Sequence, residues 1–137
     1  MYTIQYIQRK DFTADQWKQL TKVAEALLEP KNRPSPVASG SGFGSPSISL
    51  RGGEIIFNGH ALEEGEAGPF ALFKSLKITK SYFDNKQGFG FITTEMLPYN
   101  DFVIAVLAAA RAIAPDVIVY MVPDKNQTIQ IARRRKR

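Results

Sequence analysis

The chain opens with alternating apolar and polar residues, a spacing typical of a β-strand. Tyr2, Ile4 and Tyr6 are the apolar members, and they predict a strand over residues 2–9. Short runs between turn residues predict further strands. These are Ile48–Leu50, Glu54–Phe57, Pro69–Phe73, Ile78–Phe83, Gly88–Thr93, Val117–Val122 and residues 128–131. Turns are expected at Arg51–Gly53, Asn58–Gly59 and Asp84–Gln87, and Val117–Val122 has the composition of a central strand.

Two segments carry the spacing of a helix. The first follows Thr13, which fits a capping box with Gln16, and we expect it to end at Pro30. Its predicted buried face consists of Trp17, Leu20, Ala24, Leu27 and Leu28. The second is predicted over residues 101–114 with Asn100 as its cap. It is apolar on nearly every side, so we expect it to be buried.

The order of these elements predicts an α+β fold. We expect a mainly antiparallel sheet of five to seven strands with two helices, forming a single domain over residues 1–132. Residues 30–47 are rich in proline, glycine and serine, which predicts a flexible loop. Residues 133–137 form a basic tail.

Composition narrows the class of protein. The 137 residues include no cysteine, which excludes disulfides and thiol chemistry, and they carry no signal-peptide pattern or membrane-length apolar run. We therefore expect a cytoplasmic protein, in the host cell if a phage encodes it. The net charge of +5 is concentrated in the basic tail: Arg133, Arg134, Arg135, Lys136 and Arg137. Without the tail, 13 basic residues face 13 acidic ones, so contact with phosphates is expected mainly there.

Candidate catalytic groups are few. His60 is the only histidine and follows a turn signal, so a solvated position is expected. Glu63, Glu64 and Glu66 are interpreted as a solvated acidic turn, and the glycine-rich residues 39–45 lack the lysine and following helix of a phosphate loop. We predict a protein that binds and is not an enzyme, with no cofactor and no metal site.

The run from Lys86 to Thr93 resembles the aromatic strand of cold-shock and RNA-recognition domains. It reads Lys-Gln-Gly-Phe-Gly-Phe-Ile-Thr, and Tyr82 precedes it. In those domains exposed phenylalanines stack on bases. The resemblance implies a single-stranded nucleic-acid binder in which Tyr82, Phe89 and Phe91 stack on bases. Lys86 and the basic tail would then contact phosphates. The alternative is that both phenylalanines face the core, since alternation places them on one face in either case.

A longer segment, from Gly88 to Asn100 and on into the apolar helix, resembles small uncharacterised proteins from phages and bacteria. The shared pattern is Gly-Phe-x-Phe-x-x-Thr, three variable residues and Pro-Tyr-Asp/Asn, followed by the helix and a valine-rich strand. This resemblance accounts for the helix as well as the aromatic strand, and it implies a phage-type accessory protein. Basic residues of the family are replaced at Thr93, Met96 and Leu97.

The second resemblance leaves three polar candidates for a ligand site: Thr94, Tyr99 and Asn100. They surround a helix N-terminus, which attracts anions, so the expected ligand is nucleotide-like. Sequestration of such a ligand or of a host protein in counter-defence is the first predicted function. Single-strand binding is the alternative, and a virion or assembly component is a further one. We expect a homo-oligomer that meets through the helix alanines, without membrane contact.

Overall fold

The computed structural model describes residues 2–29, 37–40, 45–59, 68–94 and 99–123. Ten elements lie within these ranges. In chain order they are β1 (Thr3–Gln8), α1 (Ala14–Leu27), β2 (Val37–Ala38), β3 (Ser47–Ser49), β4 (Glu54–Gly59), β5 (Phe70–Phe73), α2 (Leu76–Phe83), β6 (Phe89–Thr93), α3 (Asn100–Ile113) and β7 (Ile118–Met121). The predicted antiparallel α+β fold is confirmed, with three helices in the described ranges where two were predicted. The predicted strand at 128–131 lies outside the described residues.

The strands form two antiparallel sheets. In the first, β1 lies between β6 and β7; in the second, β4 pairs with β2, β3 and β5. The prediction of a central strand at Val117–Val122 was wrong, because within the described ranges β7 pairs only with β1. Ile118 is fully buried on its inner side, whereas Met121 is exposed. Among the described residues β7 is thus an edge strand whose β-branched run has one buried face.

Helix α1 begins as its capping box predicts. The Gln16 amide donates to Thr13 Oγ1 at 3.1 Å, and the Thr13 amide donates to Gln16 Oε1 at 2.9 Å. Phe12 packs on Trp17 with ring centroids 5.5 Å apart. The helix ends at Leu27, before Pro30, and packs against α3 around a shared apolar core.

Helix α3 is less buried than its composition suggests. It begins with Tyr99 at the N-cap position and Asn100 as the first helical residue, so the predicted Asn100 cap was wrong by one position. One face packs into the core, but the opposite face contains exposed residues: Asp101, Ala108, Arg111 and Ala112. Alanine adds apolar character to a sequence without requiring burial, which is why the prediction of all-round burial was wrong.

The segment predicted as a strand at Ile78–Phe83 is helix α2. Ser75 caps it, with Ser75 Oγ accepting from the Ile78 amide, and Asp11 Oδ1 accepts a second hydrogen bond, of 2.8 Å, from the Leu76 amide. The helix ends at Phe83, and the C-cap residue is Asp84, whose φ of 53° lies in the left-handed region. Its β-branched residues imitate a strand over so short a span, and the capping groups override that preference.

The predicted loop at 30–47 is partly strand. Val37 and Ala38 are buried and pair with Gly59 and Asn58, so these last two residues belong to β4 and do not form the predicted turn. The hairpin between β3 and β4 is confirmed. Residues 30–36 and 41–44 of the loop, with His60 and the glutamates at 63, 64 and 66, lie outside the described residues.

Candidate functional site

The outer face of the first sheet is open and largely apolar. Register places Phe91 and Met121 beside Gln5, and Phe89 and Val119 beside Ile7, and cross-strand partners share a face of the sheet. We call these six residues the sheet face: Gln5, Ile7, Phe89, Phe91, Val119 and Met121. Phe91 is 51% exposed, Met121 66% and Ile7 39%. None of the six is charged. Contiguous exposed apolar surface of this kind marks interaction sites.

The glycines of β6 serve the fold. Gly90 faces the core, where the ring of Tyr6 fills the space that a side chain would occupy. Gly88 has a φ of +73°, and a Cβ there would lie 2.3 Å from the Gln8 carbonyl oxygen. At Gly90 the space is therefore taken by Tyr6 and is not open to a base. Their effect is that β6 presents Phe89 and Phe91 outward while its back packs tightly.

The two phenylalanines belong to a row of neighbouring aromatic rings. Ring centroids lie 6.2 Å apart for Phe89 and Phe91, 6.1 Å for Phe91 and Phe83, and 4.8 Å for Phe83 and Tyr82. Tyr82 is 47% exposed and also contacts Phe73 at 5.1 Å. The predicted stacking residues Tyr82, Phe89 and Phe91 are therefore joined, through Phe83, in one row of ring contacts. Phe83 connects this surface to the core, because it also packs edge-on against Tyr6.

Asn85 fixes the first residue of β6. Its Oδ1 accepts from the Phe89 amide at 3.0 Å and from the Gln87 amide at 3.1 Å, and its Nδ2 donates to the Phe89 carbonyl at 2.7 Å. The amide side chain thus bonds Phe89 as a neighbouring strand would. This contact orients the start of the aromatic row, whereas the sequence predicts Asn85 only as part of a turn.

Basic residues lie along the chain segment that carries the row. Lys74, Lys77, Lys80 and Lys86 fall between β5 and β6, and Asp84 is the only acid there. Lys77 and Lys86 are exposed. The five positive charges of the tail lie outside the described residues.

A further lysine, Lys10, forms an ion pair. Lys10 Nζ lies 2.6 Å from Asp116 Oδ2, and both side chains are 59% exposed. The hydrogen bond from Lys10 lowers the pKa of Asp116. An exposed pair of this kind contributes little to stability, so Lys10 is interpreted as a local partner of Asp116.

The ligand candidates Thr94, Tyr99 and Asn100 are brought together, but they are buried. Thr94 Oγ1 donates to Asn100 Oδ1, which ties the end of β6 to the first turn of α3. The Tyr99 hydroxyl donates to the Gly68 carbonyl at 2.8 Å and accepts from the Gly68 amide at 3.1 Å. These bonds hold the helix start to the sheet. Residues 60–67 and 95–98, next to the three, lie outside the described residues, so a pocket there stays a prediction.

Two buried polar side chains link the elements beneath the sheet face. The Tyr6 hydroxyl donates to the Ala71 carbonyl and so connects the two sheets. Burial, with a smaller contribution from Tyr82, raises the pKa of Tyr6. Gln8 accepts from the Thr79 hydroxyl and donates to the Lys74 carbonyl at 3.3 Å. These contacts tie β1 to Ala71, Lys74 and Thr79 behind the sheet face.

Other site types find no support within the described ranges. No helix there is both long enough and apolar enough to cross a membrane. The same part of the chain holds no group of three or more histidine, cysteine, aspartate or glutamate residues placed to bind a metal ion.

Comparison of this chain with known proteins identifies no family for it. A scan against protein-family models, a search of curated proteins and a search of solved structures each gave no match to this chain. Arguments about function therefore depend on the geometry of the site.

Proposed function

We propose that this protein binds single-stranded nucleic acid on its sheet face. The proposal depends on one observation. Phe89 and Phe91, which lie on either side of Gly90 in β6, both point away from the core on an uncharged, open sheet surface. Every base has a π-face, so exposed aromatic rings accept unpaired bases without regard to sequence. A duplex hides those faces within its stack, which is why the expected ligand is single-stranded.

The surroundings support this choice over the nucleotide pocket at α3. The sheet face has no acid that would repel phosphate, and Lys77 and Lys86, both exposed, lie on the chain segment that also carries Tyr82 and Phe83. At α3, the hydrogen bonds of Thr94, Tyr99 and Asn100 already join parts of the fold. A phage-type counter-defence role or a virion role is compatible with strand binding and stays a prediction.

The test is fluorescence anisotropy with labelled single-stranded DNA and RNA at two salt concentrations. Phe91→Ala and Phe89→Ala are each expected to weaken binding about tenfold, since a stacked base contributes about 1–3 kcal/mol. Phe91→Tyr keeps a ring and should keep most of the affinity. Leu50→Ala is the matched control, because Leu50 is 51% exposed and lies in the β3–β4 turn, away from the sheet face.

Two binding results would overturn the proposal. One is that the wild-type chain binds neither DNA nor RNA. The other is that the Phe91 and Leu50 variants bind alike. The predicted homo-oligomer is measured on the same samples by light scattering. A wild-type dimer that Phe91→Glu dissociates would identify the sheet face as a contact between two copies and would also reject the proposal.

A further inference from the structure

A second open surface adjoins the aromatic row. It lies between α2 and the outer side of the second sheet, and we call it the α2 groove. Its principal residues are Ile56, Phe73, Lys77, Ile78 and Tyr82. Ile78 is 45% exposed, so the groove presents apolar surface to solvent.

The groove and the sheet face share a boundary. Tyr82 lines the groove and contacts Phe83, which contacts Phe91 on the sheet face. Phe73 continues the row on the far side of Tyr82, with ring centroids 5.1 Å apart. Neighbouring rings thus lead from the sheet, over the end of α2, to the groove wall.

The residues that line the groove include one cation. Lys77 lies on its wall and is exposed, and Lys74 and Lys80 are half-buried on the same segment. An apolar wall beside a cation matches a nucleotide, in which a base and a phosphate lie side by side.

We infer that the site extends from the sheet face into the α2 groove, so that its ligand is a single-stranded oligonucleotide long enough to occupy both. This inference rests on the proposed function and adds a minimum length to it. Bases stack on Phe91 and Tyr82, the following base packs on Ile78, and Lys77 contacts a phosphate. A short oligonucleotide occupies the sheet face alone.

The experiment compares two oligodeoxythymidines, of about 4 and about 12 nucleotides, a range that covers site sizes of single-strand binders. Binding is measured by anisotropy at about 0.15 M salt, where charges farther apart than about 8 Å are largely screened. Lys77→Gln and Ile78→Ser alter only the groove, and Phe91→Ala alters only the sheet face. Lys22→Gln, at an exposed lysine on α1, is the control for loss of one charge.

The groove variants are expected to lose about tenfold in affinity for the longer strand and to bind the shorter strand as the wild type does. Phe91→Ala should weaken binding of both strands.

The inference is overturned if Lys77→Gln and Ile78→Ser bind the longer strand normally, or if they lose affinity equally for both lengths. It is also overturned if Lys22→Gln loses as much affinity as Lys77→Gln. Those results leave the proposed function standing when Phe91→Ala still weakens binding. Absence of wild-type binding to either strand rejects both. Circular dichroism melts confirm that each variant is folded.

Discussion

The ring of Tyr6 lies against the backbone of Gly90, its partner across the β1–β6 pair. A Cβ at Gly90 would lie 2.5 Å from Tyr6 Cε2 and 2.6 Å from Cζ. The ring cannot easily move aside, because its hydroxyl is bonded to the Ala71 carbonyl and its faces pack on Phe70 and Phe83. The core-facing side of β6 therefore packs against one fixed side chain, that of Tyr6.

Replacing Gly90 by alanine is expected to destabilise the protein by about 1–3 kcal/mol, the usual range for overpacking a closed core. Urea unfolding followed by circular dichroism measures the change. Gly68→Ala is the matched control, since among the described residues the nearest atom to a Cβ there is the Thr93 carbonyl oxygen at 4.0 Å. Equal midpoints for the two variants would mean that the Tyr6 ring moves aside without cost.

Tyr6→Phe removes the hydroxyl that links the two sheets. At neutral pH we expect a loss of about 1 kcal/mol in the free energy of unfolding, the net value of a typical buried hydrogen bond. The loss should depend on pH, because burial raises the pKa of Tyr6 in the folded state. In the unfolded chain this tyrosine ionises near pH 10, as an unperturbed tyrosine does.

The sign of that dependence follows from linkage. Below about pH 10 the phenol is neutral in both states, and its stabilising contribution is complete. Above about pH 10 the unfolded state loses its proton first, so wild-type stability falls by up to about 1.4 kcal/mol per pH unit relative to Tyr6→Phe. Urea midpoints of both proteins at pH 8 to 11 test this prediction. A constant difference between them would show that Tyr6 ionises equally in both states.

The fold was predictable where local signals and burial agree. The capping box at Thr13 and the alternation in β1 are complete within a few residues, and both predictions were confirmed. Helix α2 was missed because Ile78 and Thr79 favour strands, while one of its capping groups, Asp11, lies far away in the sequence. No pattern within a window of ten residues contains that contact.

The site was predictable only in part, for a related reason. Alternation places Phe89 and Phe91 on one face, but which face is buried depends on what packs behind β6. Tyr6 decides this, and its register with Gly90 joins residues that lie far apart in the sequence. The same register adds Ile7 to the sheet face, and β1 alternation was the only sequence signal for it.

The hydroxyl of Thr94 gives a test of whether the cluster at α3 stabilises the fold. Thr94→Val keeps the shape of the side chain and removes its bond to Asn100. We expect a loss of about 1–3 kcal/mol in the free energy of unfolding without any added ligand, because a buried acceptor loses its donor. Ser81→Ala, which removes an exposed hydroxyl on α2, is the control. An unchanged midpoint in Thr94→Val would favour a ligand-binding role for this residue.

The basic tail tests how much of the affinity is electrostatic. Arg133–Arg137 carry five positive charges, and removing them leaves 13 basic against 13 acidic residues. A chain ending at Ala132 should bind single strands more weakly at low salt. The slope of log affinity against log salt should become shallower by up to about 3.5, since each phosphate contact to a single strand contributes about 0.7.

Stacking on the sheet face does not depend on those charges. The truncated chain should therefore still lose about tenfold in affinity on Phe91→Ala, as the full chain does. Anisotropy titrations of four proteins, with and without the tail and with and without the Phe91 ring, separate the two contributions. If removal of the tail abolishes binding at every salt concentration, the tail alone anchors the strand. An unchanged salt slope would instead place the phosphate contacts on the lysines beside the aromatic row.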